Sequence, residues 1–139
     1  PMKGRCRMLP EECMYTKEHE WVCRDGDTAV IGISEYASNE LGDIVYIELP
    51  EAGTNVKQMD PIGTIEAVKT VAELFSPVSG EIVEVNEDIV ENPEIVNRDP
   101  YEEGWFIKVK ISDPGELDVL FSYEEYSEYV GEQQEEEED

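Results

Sequence analysis

Short apolar segments alternating with turn residues run from Trp21 to Ile111, and that rhythm limits the chain to a fold of small strands. Trp21–Cys23 and Thr28–Ile33 flank Arg24-Asp25-Gly26-Asp27, an Asp-Gly turn that predicts a hairpin. Ser34 is placed to N-cap a helix of about two turns, which Gly42 ends because a residue without Cβ accepts positive φ cheaply. Asp43–Leu49 alternates, predicting a half-buried strand with Val45, Ile47 and Leu49 on one face. Pro50 and Gly53 make a loop, Pro61–Val68 and Val71–Phe75 read as β, and Pro77 and Gly80 turn the chain into the β-rich Glu81–Val85. Asn92-Pro93 opens a brief helical turn with proline at N1, and Trp105–Ile111 sets Trp105, Ile107, Val109 and Ile111 on one strand face.

Two helices are expected after the last strand. Asp113-Pro114-Gly115-Glu116 reads as an N-cap, an N1 proline and an N3 glutamate. Ser122 and Glu125 repeat the capping-box spacing, with Phe121 and Tyr126 where a hydrophobic staple packs, and the helix should end near Tyr129. Trp21 and Trp105, each among apolar companions, are expected in the core.

The ends differ from the middle. The stretch 1–14 is basic, rich in methionine and aperiodic, with Pro10 breaking any helix, and reads as a flexible arm. Nine acidic residues fall between Glu124 and Asp139, and no Lys or Arg follows Lys110, so 132–139 reads as a disordered acidic tail. The folded domain is then 15–131. A chain of 139 residues buries roughly two thirds of its unfolded surface, enough for a core without staples.

Charge and composition exclude several classes of function. The net charge of −25 repels nucleic-acid phosphates and anionic membranes, so neither is an expected partner. No apolar run approaches the length of a membrane span, and 1–14 lacks a continuous apolar core of the secretory kind, which predicts a soluble, intracellular chain. His19 is the only histidine, which leaves little material for a triad or a multi-histidine metal site, so side-chain catalysis is not expected. The three cysteines, an odd number, read as reduced thiols. Cys6, Cys13, His19 and Cys23 would make four zinc ligands, but none has C-x-x-C spacing; no metal is expected, and His19 reads as a hydrogen-bonded structural residue.

One cation stands out by position. Between Ile62–Val68 and Val71–Phe75 there is room only for a tight turn, which puts Lys69 at a hairpin tip. The turn has no Gly or Pro, so it uses right-handed dihedrals of the type I kind, open to ordinary residues. Such a tip holds its backbone rigidly while the side chain projects into water.

Glu66-Ala67-Val68-Lys69-Thr70, followed by Ser76-Pro77-Val78-Ser79-Gly80-Glu81-Ile82-Val83-Glu84-Val85-Asn86, resembles the lipoylation hairpin of the glycine cleavage system H-protein family. Glu66, Val68 and Gly80, the last eleven residues after the lysine, carry the hairpin motif. Tyr15–Val22, Ile31-Gly32-Ile33, Leu41–Pro50, Asp99-Pro100-Tyr101 and Gly104-Trp105 are H-protein-like in type and order, so the resemblance covers about Tyr15 to Tyr129. Ala67, where Ser is common, and Thr70, where Ala is common, depart from the family without removing the acceptor lysine. Biotin carriers typically surround their lysine with methionines, which Val68 and Thr70 do not match.

The resemblance implies a mainly β fold, a barrel-sandwich hybrid with short flanking and C-terminal helices, carrying lipoate in amide linkage on Lys69. It implies a cofactor-bearing carrier rather than an enzyme, a monomer that shuttles an aminomethyl group from a glycine decarboxylase to an aminomethyltransferase and electrons to dihydrolipoamide dehydrogenase. Lipoate-attaching enzymes are further implied partners, and the compartment is the cytoplasm, or the mitochondrial matrix in a eukaryote. Glu20, Leu41 and Glu73 match the cleft in which the family holds the arm, and Glu40 stands where some members have histidine. Two alternatives stay open: an H-like lipoyl carrier serving another pathway, such as sulfur oxidation or lipoate relay, and a non-lipoylated binding module.

Overall fold

The computed structural model describes residues 10–138. The calls on 1–9, Cys6 among them, and on Asp139 lie outside the described residues. Strands β1 (Met14–Tyr15), β2 (Glu20–Asp25) and β3 (Thr28–Ile33) lead into helix α1 (Glu35–Leu41) and strand β4 (Ile44–Glu48). Strands β5 (Asn55–Val56), β6 (Pro61–Ala67), β7 (Val71–Phe75) and β8 (Gly80–Val85) follow. Helices α2 (Glu87–Glu91) and α3 (Glu94–Arg98), strand β9 (Ile107–Ile111) and helix α4 (Tyr123–Glu138) complete the order.

All ladders are antiparallel, and they make two sheets: β1-β2-β3-β9-β8-β5 and β4-β6-β7. Val22, Ile31, Ile82, Ile107 and Val109 of the larger sheet share one buried cluster with Ile44, Ile47, Ile65 and Leu74 of the smaller. The sheets thus face each other across a common core without either closing into a barrel. This is the expected mainly β, lipoyl-carrier-like class.

Several local readings hold. The hairpin holds but its turn shifts by one residue: Asp25 pairs with Thr28, so the two-residue loop is Gly26-Asp27, with Gly26 at the first position taking φ 67°. Ser34 Oγ accepts the Ala37 N–H at 3.1 Å, and Gly42 ends α1 at φ 77°. At α4 the capping box is reciprocal: Ser122 N–H donates to Glu125 Oε1 at 2.9 Å and Glu125 N–H to Ser122 Oγ at 3.2 Å.

Others are corrected. A bulge between Ile44 and Tyr46 flips the alternation in β4, so Ile44 and Ile47 are buried while Val45 is 55% exposed. Pro93 occupies the N-cap of α3 rather than N1, and α2 was not foreseen; Asn86 caps it and also donates to the carbonyls of Trp105 and Glu103 at 2.7 and 3.0 Å. Trp105 is half-buried outside β9, with Lys108 Nζ 4.9 Å above its ring, whereas Trp21 is fully buried. Pro114–Val119 forms a 3₁₀ helix capped by the Asp113 side chain, and Glu116 does not close a capping box but accepts the N–H and Oγ–H of Ser79 at 2.6 and 2.7 Å.

The boundaries move too. Pro10–Glu12 makes a 3₁₀ turn, Cys13 is 2% exposed and Met14 pairs with Val22, so the arm expected over 1–14 is ordered from Pro10 onward by burial against β2. Helix α4 passes Tyr129 and runs in backbone to Glu138, into the stretch read from composition as a disordered tail, because Glu and Gln are good helix formers. Tyr126 anchors that helix, stacking on Tyr15 with centroids 4.4 Å apart and planes at 9°.

Because the docking residues Tyr126, Tyr129 and Val130 precede Gly131, and because acidic side chains oppose the dipole at a helix C-terminus, removal of 132–139 should leave the melting temperature unchanged or slightly raised at low salt. A fall of more than roughly 4 °C, about 1 kcal/mol for a domain of this size, would show that the segment supports the fold.

Candidate functional site

β6 and β7 pair from Glu66 opposite Val71, and Ala67 N–H donates to Thr70 O at 2.8 Å. This leaves Val68 and Lys69 as a two-residue tip, with no positive φ from 68 to 70, as expected of a turn built from ordinary residues. A second bond, Val68 N–H to Asp43 O at 3.0 Å, ties the tip to the junction between α1 and β4. That junction is itself fixed by Asn97, which accepts from Ile44 N–H at 3.0 Å and donates to Gly42 O at 2.8 Å. Lys69 is exposed, and a β-carbon built on Gly42 would stand 4.0 Å from its Cε. The lysine stem therefore leaves a rigid base beside the end of α1.

Between α1 and β7 lies a cleft of about 650 Å³. Its walls are Glu18, His19 and Glu20 from the segment entering β2, Ile33 of β3, Tyr36, Ala37, Glu40 and Leu41 of α1, and Ile65, Ala72, Glu73 and Phe75 of β6 and β7. The three residues singled out in the sequence for an arm-binding cleft, Glu20, Leu41 and Glu73, are brought together here, and Glu40 joins them. The lining holds four carboxylates and no lysine or arginine, so it favours a cation.

Glu20 differs from the other three, which are exposed. It is 1% exposed, at the start of β2. Thr16 Oγ1–H donates to its Oε1 at 2.6 Å and Phe75 N–H to its Oε2 at 2.9 Å. Burial pushes its pKa up to about 7, against the pull of those two hydrogen bonds. A carboxyl whose proton affinity is raised by burial, with no lysine or arginine in the surrounding lining, is poised to gain its charge when a cation arrives.

The hairpin motif divides. Glu66 and Val68 flank Lys69 as exposed residues. Gly80 belongs to the other sheet, between Val56 and Ile111, and does not line the cleft. Its constraint is steric, since a β-carbon there would collide with the carbonyl oxygen of Lys110. Thr16, Asp43 and Asn97 were missed in the sequence, because each acts through a hydrogen bond to a residue distant along the chain or to an adjacent turn. His19 is hydrogen-bonded, through Nδ1 to Tyr126 Oη at 2.8 Å. Among the described residues no cluster of three or more His, Cys, Asp or Glu is arranged to hold a metal ion, and no helix is long and apolar enough to cross a membrane.

The raised value for Glu20 fixes the sign of a pH effect. Between the ordinary glutamate pKa, about 4.3, and the folded value, the native state binds more protons than the unfolded one, so stability falls as pH rises through that window and is level above it. Glu20→Gln removes this slope. In denaturant titrations the stability of the variant relative to the parent should climb between pH 4 and pH 8, by up to about 3 kcal/mol. A difference independent of pH would mean that Glu20 titrates normally.

The family described as Glycine cleavage H-protein matches residues 13–133. The chain is 52% identical over 124 residues to the glycine cleavage system H protein of Staphylococcus carnosus (strain TM300), covering 89% of this chain and 98% of that one. The H protein of Staphylococcus epidermidis shows the same identity and coverage. The crystal structure of a glycine cleavage system H protein from Mycobacterium marinum superposes with a TM-score of 0.81 at 35% identity, covering 88% of this chain and 99% of that one. The chain belongs to the glycine cleavage H-protein family, whose members are carriers rather than catalysts.

Proposed function

We propose that this chain is the lipoyl carrier of the glycine cleavage system, with lipoate held in amide linkage on Lys69. The observation that carries the reading is the exposed lysine on a two-residue tip, clamped to Asp43, beside a carboxylate-lined cleft. Bound there, lipoate supplies a dithiolane that accepts an aminomethyl group with reduction and later returns electrons.

The protein's own residues perform binding, orientation and shielding. Lys69 provides the attachment nitrogen, and the tip's hydrogen bonds keep its base still while the side chain swings. Glu73 of β7 lies four residues after Lys69, at most about 13 Å away at roughly 3.3 Å per extended residue. A lysine stem and an eight-carbon acyl chain in series reach about 14 Å by bond-length addition, so the cleft is within range of the arm's end. Leu41, Ala37 and Ile65 offer apolar surface for a methylene chain, while Glu20 and Glu73 offer negative charge for an ammonium group at its tip. Holding that end in the cleft keeps it from water between encounters.

The partners in this reading are a glycine decarboxylase, an aminomethyltransferase, dihydrolipoamide dehydrogenase and the enzymes that attach lipoate, in the cytoplasm of a bacterial cell. Tethering makes each transfer effectively intramolecular once a partner docks.

Lys69→Arg discriminates. An exposed tip position tolerates the exchange with little loss of stability, but the guanidinium is always protonated and does not form the lipoyl amide. Lipoylated parent mixed with a glycine decarboxylase should support exchange of labelled bicarbonate into glycine, and the variant should give background only. Equal exchange by both would remove Lys69 from the mechanism; no exchange by the lipoylated parent, with a cognate decarboxylase that responds to another H protein, would reject the glycine-cleavage assignment.

A further inference from the structure

The C-terminal helix meets the cleft through one hydroxyl. Tyr126 is 4% exposed, and its Oη lies 2.8 Å from His19 Nδ1 and 2.7 Å from Ser34 Oγ. These partners serve different walls. His19 belongs to the segment that delivers Glu20, and Ser34 caps α1, which carries Tyr36, Ala37, Glu40 and Leu41. A phenol hydroxyl donates one hydrogen bond and accepts others, so it serves both partners whichever way the imidazole nitrogen is protonated.

The backbone at His19 shows why such a clamp matters. Its φ is 75°, a left-handed conformation sparsely populated by residues with a β-carbon and kept only where the surroundings hold it. The holding bonds are His19 N–H to Thr16 O at 3.1 Å, Ser34 N–H to His19 O at 2.9 Å, and the side-chain bond to Tyr126. The next residue is Glu20, whose carboxyl reaches Phe75 N–H across the cleft floor.

We propose that Tyr126 is a positioning residue for the cleft, its hydroxyl bridging His19 and Ser34 so that the segment 16–20 is held against α1 and the Glu20 carboxyl is fixed in place. The functional meaning of this bridge rests on the carrier reading; the bridge itself does not. Without the hydroxyl the segment loosens, water reaches the carboxyl, and its charged form gains. The other titratable groups lining the cleft around that carboxyl are Glu18 and His19 from its own segment, Tyr36 and Glu40 from α1 and Glu73 from β7.

The test is the side-chain carboxyl titration of Glu20, followed by NMR in the unmodified full-length chain with labelled glutamate and assigned by its loss in Glu20→Gln. The parent midpoint should lie at about 7. In Tyr126→Phe, which keeps the ring, it should fall toward the ordinary glutamate value, about 4.3. Tyr123→Phe, on the same helix and 39% exposed, should leave it unchanged. His19→Asn, whose side chain tolerates left-handed backbone but lacks the ring nitrogen, should reproduce the fall, and the double variant should add nothing. A parent-like midpoint in folded Tyr126→Phe or, if that variant does not fold, in His19→Asn, overturns the proposal, as does an equal fall in Tyr123→Phe or additivity in the double variant. Because no lipoate is needed, failure of the carrier reading in the exchange assay leaves this result standing, and an unmoved titration leaves the exchange assay unaffected.

Discussion

The hydrogen bond from Phe75 N–H to the buried carboxyl of Glu20 joins the two sheets where no strand pairing does. Glu20 opens β2 in the larger sheet, and Phe75 closes β7, the outer strand of the smaller one. An edge strand leaves alternate backbone N–H groups without a ladder partner, and a carboxyl oxygen takes up one of them at 2.9 Å. The cleft begins at this bridge and runs along β7 toward the lysine tip. Burying a carboxyl without a cation is costly, and Thr16 Oγ1–H and Phe75 N–H offset that cost only in part, as the carboxyl's raised proton affinity shows.

Rigidity and mobility are divided between neighbouring residues. At the tip, Val68 N–H is fixed to Asp43 and the Asp43 segment to Asn97, whereas the side chain of Lys69 is exposed. In the cleft, Glu20 is immobilised by hydrogen bonds while Glu18, Glu40 and Glu73 are exposed and hydrated. A cation entering the cleft would therefore meet one buried, directional carboxyl and three solvent-exposed charges, whose attraction is softened by solvent. The chain's net charge of −25 reinforces the same sign.

Much of the fold was legible because its punctuation is local. Ser34 with Gly42, Gly26 in its hairpin, and Ser122 with Glu125 each act within a few residues of themselves, so spacing marks them, to within one residue at the hairpin. What stayed hidden depends on distant partners. The bulge at Ile44 and Tyr46 exists because β4 must fit β6, and no feature within Asp43–Leu49 announces it. Glu116 forgoes its local cap for Ser79, and Cys13 and Met14 are ordered by β2 rather than by their own composition. The site behaves likewise: Lys69 follows from a turn too short for anything else, and family resemblance points to Glu20, Leu41 and Glu73, but the roles of Asn97 and Tyr126 arise only from tertiary contacts.

Attachment at the tip is the claim on which the carrier reading turns, and site mapping reads it directly. The full-length chain, coexpressed with an active lipoyl ligase and digested, should show the lipoyl mass on the peptide containing Lys69 and on no other. Label on a second lysine, or none when the ligase modifies a control carrier in the same cells, would contradict it.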